Sequence, residues 1–314
     1  MIASVAIALL AAWVLYRTFQ RISLGDVLER MRDVPPRVLL TAALFAAGSF
    51  LALALYEIVV VRYVKRPLGR FKPMVTALVA FPLGHAIGQA MLSSGAIRYR
   101  MYTPAGFTAM EVGATVLLAN LPYALAFGLM LDLSLVLGAE RLAPIFRVSS
   151  IWLVLLGCLG LAKDLGYQLL VRLRKAPVRL GGWAVNLPSP AMTALQLIVG
   201  LIDLTLVSNV MYMLLPESAN IGYLPFMAIY LASVLAGVLS HVPAGLGVLE
   251  SMLLLLLPDV PPAELLAAVL LYRVIYEILP LLVALALWGT YELVARDGVG
   301  VRLKRGYGKR DSGM

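Results

Sequence analysis

The chain has almost no cysteine, almost no histidine and little charge. Its single cysteine, Cys158, lies inside an apolar run, so a disulfide framework or a cysteine metal site within one chain is excluded. The two histidines, His85 and His241, have no Cys, Asp or Glu at metal-ligand spacing, and no metal or other cofactor is expected. Charged residues make up 14% of the 314, too few to cover the surface of a soluble domain. No catalytic constellation stands out. Ser240-His241 lacks the Gly-x-Ser-x-Gly elbow of a hydrolase, and the glycines at 84, 88 and 95 do not follow a strand, so no dinucleotide loop is implied.

What the sequence has in abundance is hydrocarbon. Hydrophobic residues form 61% of it, and the mean hydropathy is +0.91. A bilayer core of roughly 30 Å takes about 20 apolar residues per helix. Full spans are expected at approximately 1–16, 38–61, 105–131, 148–171, 190–215 and 264–289. The segment Met1 to Tyr16 lacks the basic start and the cleavage site of a signal peptide and reads as a retained helix.

Two further apolar stretches, 73–93 and 223–257, are interrupted. The first contains Phe81-Pro82-Leu83-Gly84-His85-Ala86-Ile87-Gly88 and the second Ser240-His241-Val242-Pro243-Ala244-Gly245-Leu246-Gly247. Proline removes a backbone donor and glycine weakens helix, so both stretches are expected to be broken, re-entrant hairpins. Broken backbone at membrane depth must be buried in protein or line a wet cavity. With six spans and two hairpins, most of the 26 basic residues collect on one side, in 62–72, at Arg98 and Arg100, in 172–179 and in 296–310; Arg141 and Arg147 fall opposite, with the acidic Asp132, Glu140, Glu217, Asp259 and Glu264. The basic side is therefore expected to be cytoplasmic, with both termini there. The five arginines of 17–37 disagree with that arrangement, unless Leu24 to Met31 forms an interfacial helix. The net charge of +9 is read as topology and contact with anionic lipid, with no nucleic acid implied.

The expected fold is an all-α polytopic membrane protein with one transmembrane domain, 1–295, and a basic cytoplasmic tail, 296–314. Units of span, hairpin and span at approximately 38–131 and 190–289 have opposite orientation, the pattern of an inverted repeat with its site at the repeat interface. Each histidine falls at one of the two breaks.

Ionisable residues in the bilayer core default to functional hypotheses. Glu57, Glu111, Lys163, Asp164, Asp203, Glu250, Arg273 and Glu277 look deep. Glu57 could simply snorkel from a helix end. Lys163 and Asp164 read equally well as an internal ion pair. Arg273 and Glu277 are four apart and share a helix face. Glu250 follows the second break and could meet a cationic headgroup or Arg273. Arg98 and Arg100 could hold a lipid phosphate or serve as ordinary positive-side anchors. Trp13, Trp183, Trp288 and Tyr291 are most simply interfacial anchors.

The segment Ser240-His241-Val242-Pro243-Ala244-Gly245-Leu246-Gly247-Val248-Leu249-Glu250 resembles one found in the lysylphosphatidylglycerol synthetase transmembrane family. That family includes the flippase portion of multiple peptide resistance factors and short stand-alone inner-membrane relatives. Tyr272-Arg273-Val274-Ile275-Tyr276-Glu277-Ile278-Leu279-Pro280 is similar to its Tyr-Arg-x-x-Tyr segment, and Gly95 to Tyr102 to its Gly-x-x-Arg-x-Arg stretch. Gln196, Asp203 and Leu214-Leu215-Pro216 also match, while Ala244 stands where the family has glycine. The resemblance implies a bacterial plasma-membrane protein that moves a phospholipid, such as aminoacylated phosphatidylglycerol, between leaflets. Arg98 and Arg100 would gather phosphate. His85, Asp203, His241, Glu250, Tyr272, Arg273 and Glu277 would line or brace the headgroup cavity. The chain given stops about 25 residues past its last span, so aminoacyl transfer by this chain alone is not expected. The alternatives are a scaffold for a separate lipid-modifying enzyme and a small-solute transporter; the expected partners are phospholipid, a homo-oligomer or that separate enzyme.

Overall fold

The computed structural model describes residues 2–20, 23–64, 68–87, 90–173, 178–180, 183–185 and 188–307, with side chains over 10–18, 20, 23–64, 68–87, 91–173 and 188–293. Lys65, Arg66, Gly88, Arg174, Lys175, Lys309 and Arg310 lie outside the described residues, as do the side chains of Arg179, Trp183 and the tail arginines and lysines. The chain is a bundle of helices: α1 (Ile2–Phe19), α2 (Leu24–Asp33), α3 (Pro36–Tyr63), α4 (Phe71–Ile87), α5 (Ala90–Tyr102), α6 (Ala109–Leu137), α7 (Ala139–Phe146), α8 (Ser150–Leu173), α9 (Pro190–Leu214), α10 (Tyr223–Ser240), α11 (Val248–Leu256), α12 (Pro262–Tyr272) and α13 (Leu279–Tyr307). A π-helical turn, Arg273–Ile278, joins the last two. The described strands are a short hairpin, β1 (Val178–Leu180) with β2 (Trp183–Val185). In hydrocarbon every backbone polar group needs a partner within the protein, which is why helix dominates.

Six described helical stretches are long and apolar enough to cross a membrane: α3, α6, α8, α9, α10 and the run Pro262–Leu293. Five match expected spans. The sixth expected span, α1, is helical but is not among them; α10, expected as one limb of a hairpin, is. Its 18 residues rise about 27 Å, close to the full hydrocarbon thickness. The chain nevertheless turns back. At Ser240 the helix stops, His241 is left-handed (φ 57), a tight turn runs Pro243–Gly245, and the nine-residue α11 returns along α10. Residues 215–222, before α10, and 256–260, after α11, line one open depression of about 960 Å³. Both ends of this hairpin therefore sit at the same face of the bundle.

The first hairpin differs from its expected form. Pro82 and Gly84 do not break the helix; both are buried inside α4, and the second limb, α5, extends to Tyr102. Its two ends meet at the opposite face, where Val61, Leu68, Tyr102, Phe107 and Val112 pack together. The Tyr63 hydroxyl, 3.1 Å from the Ser189 amide, puts the start of α9 at that same face. The hairpins thus enter from opposite faces, and α4 packs against the Pro243–Gly245 turn of the other. The wider packing is reciprocal. The first hairpin lies on α13, the second on α6, and α3 lies on α9.

Helix ends explain several boundaries. Thr108 and Glu111 form a capping box at α6, so Glu111 is a cap at a helix end and not a deep charge. Ser23 and Asp26 cap α2 likewise, and this helix lies on α12 with Arg30 3.8 Å from Glu264. Asp132, expected in a loop, is buried within α6. Trp288 and Tyr291, expected as interfacial anchors, pack on Val79, Ile97 and Met101 of the first hairpin.

Candidate functional site

Two buried arginines each fasten one hairpin. At the second, Arg273 sits on the π turn and reaches the break. Its Nε donates to Glu250 Oε1, and its Nη2 donates to Glu250 Oε2 at 3.0 Å. Nη1 donates to Glu277 at 2.8 Å and to the Ala244 carbonyl at 3.1 Å, and Nη2 to the Gly245 carbonyl at 3.3 Å. A planar guanidinium suits this work because five donors leave it in a fixed fork. The carbonyls it holds belong to a turn in which Ala244 is left-handed (φ 50) as well as Gly245 (φ 59) and Gly247 (φ 80). A side chain at φ 50 costs about 1–2 kcal/mol, which glycine avoids. The sequence expectation that Glu250, Arg273 and Glu277 come together is met in the geometry.

At the first hairpin the roles are reversed: the arginine is on the hairpin and the carboxylate on a span. Arg98 of α5 makes two parallel bonds of 2.9 Å to Glu57 of α3, and Tyr102 donates to the same carboxylate at 2.9 Å. Glu57 and Arg98 are both fully buried, and the Arg98 guanidinium lies 4.9 Å from the Phe81 ring centre. This corrects two expectations. Glu57 does not snorkel, and Arg98 is not free at a mouth to gather phosphate, because α5 carries it inward and Glu57 occupies its fork. Arg100, two residues on, is exposed and pairs with Glu292 of α13 at 2.9 and 3.0 Å.

Between the two hairpins lies a polar seam. Ser49 of α3 donates to Asp203 of α9 at 2.5 Å, and the Ser49 and Tyr276 hydroxyls are 3.2 Å apart. Asp203 is buried at 4% exposure, and no ion pair reaches it among the described residues. The Tyr230 and Tyr272 hydroxyls share a bond of 2.9 Å, and Tyr272 stacks on Tyr276 at 5.7 Å. His85, at the end of α4, is exposed and within electrostatic range of Arg273; Tyr123, facing Asp203 from α6, is 37% exposed. His241 is exposed too, its ring nitrogen 2.9 Å from the Leu239 carbonyl of its own helix. The contact shown for His241 is local.

Lys163 and Asp164 form the expected pair at 3.0 Å, and Asp132 joins from α6 at 3.5 Å from Lys163. Gly160 makes room: a β-carbon there would overlap the Asp132 carboxylate. This cluster lies on the α6–α8 seam. Sequence reasoning missed Ser49, Tyr102, Tyr123 and Tyr230. Only Tyr276 had a legible signal, its i,i+4 spacing from Tyr272. Among the described residues no group of three or more metal-binding side chains occurs.

No family model matches the chain. It is 29% identical over 252 residues to an uncharacterised protein, slr0712, of Synechocystis, covering 78% of this chain and 77% of that protein. It is 25% identical over 283 residues to the inner membrane protein YbhN of Escherichia coli, covering 89% of this chain and 87% of the relative. With six apolar crossing-length helices among its described residues, the chain is a multi-pass membrane protein, similar along most of its length to an inner membrane protein.

Proposed function

We propose that the protein moves a phospholipid between the leaflets of a bacterial plasma membrane. The observation that carries this reading is the meeting of two hairpins from opposite faces beside a polar seam, inside helices that are otherwise apolar. A lipid crossing a bilayer needs a polar track for its headgroup and an apolar surround for its chains. Here Asp203, Tyr123, Tyr276, His85 and the Glu250–Arg273–Glu277 group supply polarity near mid-depth. The reciprocal packing of the hairpins fits an inverted repeat, the architecture that alternates access by rocking one half on the other. In this reading Arg100 takes the lipid phosphate at one mouth by exchanging it for Glu292, and Arg98 serves as a fixed brace. The resemblance to the lysylphosphatidylglycerol synthetase transmembrane family points the same way and makes aminoacylated phosphatidylglycerol a candidate cargo. Transport, not aminoacyl transfer, is the activity proposed.

The test is reconstitution of the full chain into liposomes with a fluorescent phosphatidylglycerol and a membrane-impermeant quencher. Protein-dependent movement between leaflets is expected, falling to the protein-free rate in Arg273→Ala. A wild type that moves labelled phosphatidylglycerol and its lysyl ester no faster than empty liposomes would overturn the proposal.

A further inference from the structure

We propose that Asp203 is a proton-binding site, and that Ser49 and Tyr276 carry its change of charge to the tip of the second hairpin. The proton site stands on the burial and bonding of Asp203; the coupling half rests on the transport reading above.

A carboxylate buried in an apolar bundle needs a counter-cation or a proton. The groups facing Asp203 are accounted for element by element. From α3 comes Ser49, at 2.5 Å. From α6 comes Tyr123, from α10 Tyr230, and from the last span Tyr276, all within electrostatic range of it. Glu277, next to Tyr276, is committed to Arg273. Arg273 in turn is spent on Glu250, Glu277 and two carbonyls. The neighbours so identified are hydroxyls, and among the described residues no guanidinium, ammonium or imidazole forms an ion pair with Asp203. A sodium ion would need a shell of several oxygens, whereas among the described residues the hydrogen bond shown to this carboxylate comes from one hydroxyl. A proton needs no such shell.

The hydrogen-bond chain gives the charge somewhere to act. An ionised Asp203 can only accept, so Ser49 donates to it. A protonated Asp203 can donate to Ser49, and the Ser49 hydrogen is then free to turn to Tyr276, 3.2 Å away. Tyr276 lies in the π turn Arg273–Ile278, and Arg273 of that turn grips the Ala244 and Gly245 carbonyls of the hairpin tip. Insertions of this kind are frequent at functional sites. Gain or loss of one proton therefore reverses a bond line that ends at Tyr276, on the same π turn that carries Arg273.

Infrared difference spectroscopy between acid and alkaline pH, on the full chain in liposomes, tests the site. The wild type is expected to show a protonated-carboxyl C=O band that bleaches as pH rises. That band is absent in Asp203→Asn and shifted in frequency in Ser49→Ala. Identical difference spectra for wild type and Asp203→Asn would overturn the proton site. Coupling is read from labelled-lipid movement under an imposed pH gradient. Acceleration by the gradient in the wild type but not in Asp203→Asn supports it. Gradient-independent movement, or acceleration by sodium instead, overturns it. If no lipid moves at all, the transport reading and the coupling fall together, and the infrared result still decides the proton site.

Discussion

Replacing Glu57 with Gln removes the counter-charge of an arginine that has no route to water. Arg98 is fully buried, and its Nη1 makes no hydrogen bond even in the intact protein. In Glu57→Gln the negative charge is lost, one of the two 2.9 Å bonds becomes an amide NH2 facing a guanidinium N–H, and the single remaining oxygen is shared by Arg98 and Tyr102. Breaking a buried pair by one partner typically costs about 3–5 kcal/mol, because the remaining charge is left uncompensated. At roughly 2 °C per kcal/mol for a chain of this size, the melting temperature falls by on the order of 5–10 °C. The double variant Glu57→Leu with Arg98→Met removes both charges and keeps apolar volume, so it recovers most of the loss. Thermal unfolding of the three proteins in one detergent, followed by intrinsic fluorescence, measures this. A single variant as stable as the wild type, or a double variant no better than the single, would refute the reasoning.

Arg273→Lys keeps the charge but loses the fork, so lipid movement falls to the protein-free rate while the protein still purifies as folded; full activity in the lysine variant would contradict the fastening role. Gly200 faces the Pro122 carbonyl so closely that a β-carbon would overlap it, whereas Gly166 has nothing within 4 Å. Gly200→Ala is therefore expected to lower the melting temperature by several degrees, at about 1–3 kcal/mol for overpacking, with Gly166→Ala unchanged or slightly stabilised. Bonds from the Ser23 backbone and hydroxyl hold the Asp26 carboxyl below its ordinary value of 3.8. A lowered carboxylate stabilises the fold above its unfolded value and ceases to do so as pH falls through the folded one. Protection of the α2 amides, taken against the intrinsic exchange rate at each pH, should therefore fall below about pH 4, and unchanged protection at pH 3 would show that the cap contributes nothing.

Much of this architecture is written in local pattern. Apolar runs of 24 to 29 residues announce α3, α6, α8 and α9 because bilayer thickness leaves little choice of length. The second break was legible because Pro243, Gly245 and Gly247 fall within five residues and leave no helical reading. Pro82 looked like a breaker, yet a proline within a membrane helix is tolerated when neighbours supply the freed groups, and α4 runs through it to Ile87. Pro122 shows the mechanism. Its missing donor frees the Leu118 carbonyl one turn back, and Tyr56 of α3 donates to that oxygen at 3.1 Å. Pairings across long separations were not legible. Nothing near Glu57 announces Arg98, 41 residues on, or near Ser49 announces Asp203, 154 residues on. Arg273 and Glu277 were, because four residues is one helical turn.

The central claim is that each hairpin begins and ends at one face and that the two faces differ. It is tested by placing single cysteines at 69, 104, 217 and 259, in a protein whose Cys158 is replaced by serine, and labelling with an impermeant maleimide from either side of oriented vesicles. Positions 69 and 104 should react from one side, and 217 and 259 only from the other. Labelling of 217 and 259 from opposite sides, or of 69 and 104 from opposite sides, would mean that a hairpin crosses the membrane and would contradict the account.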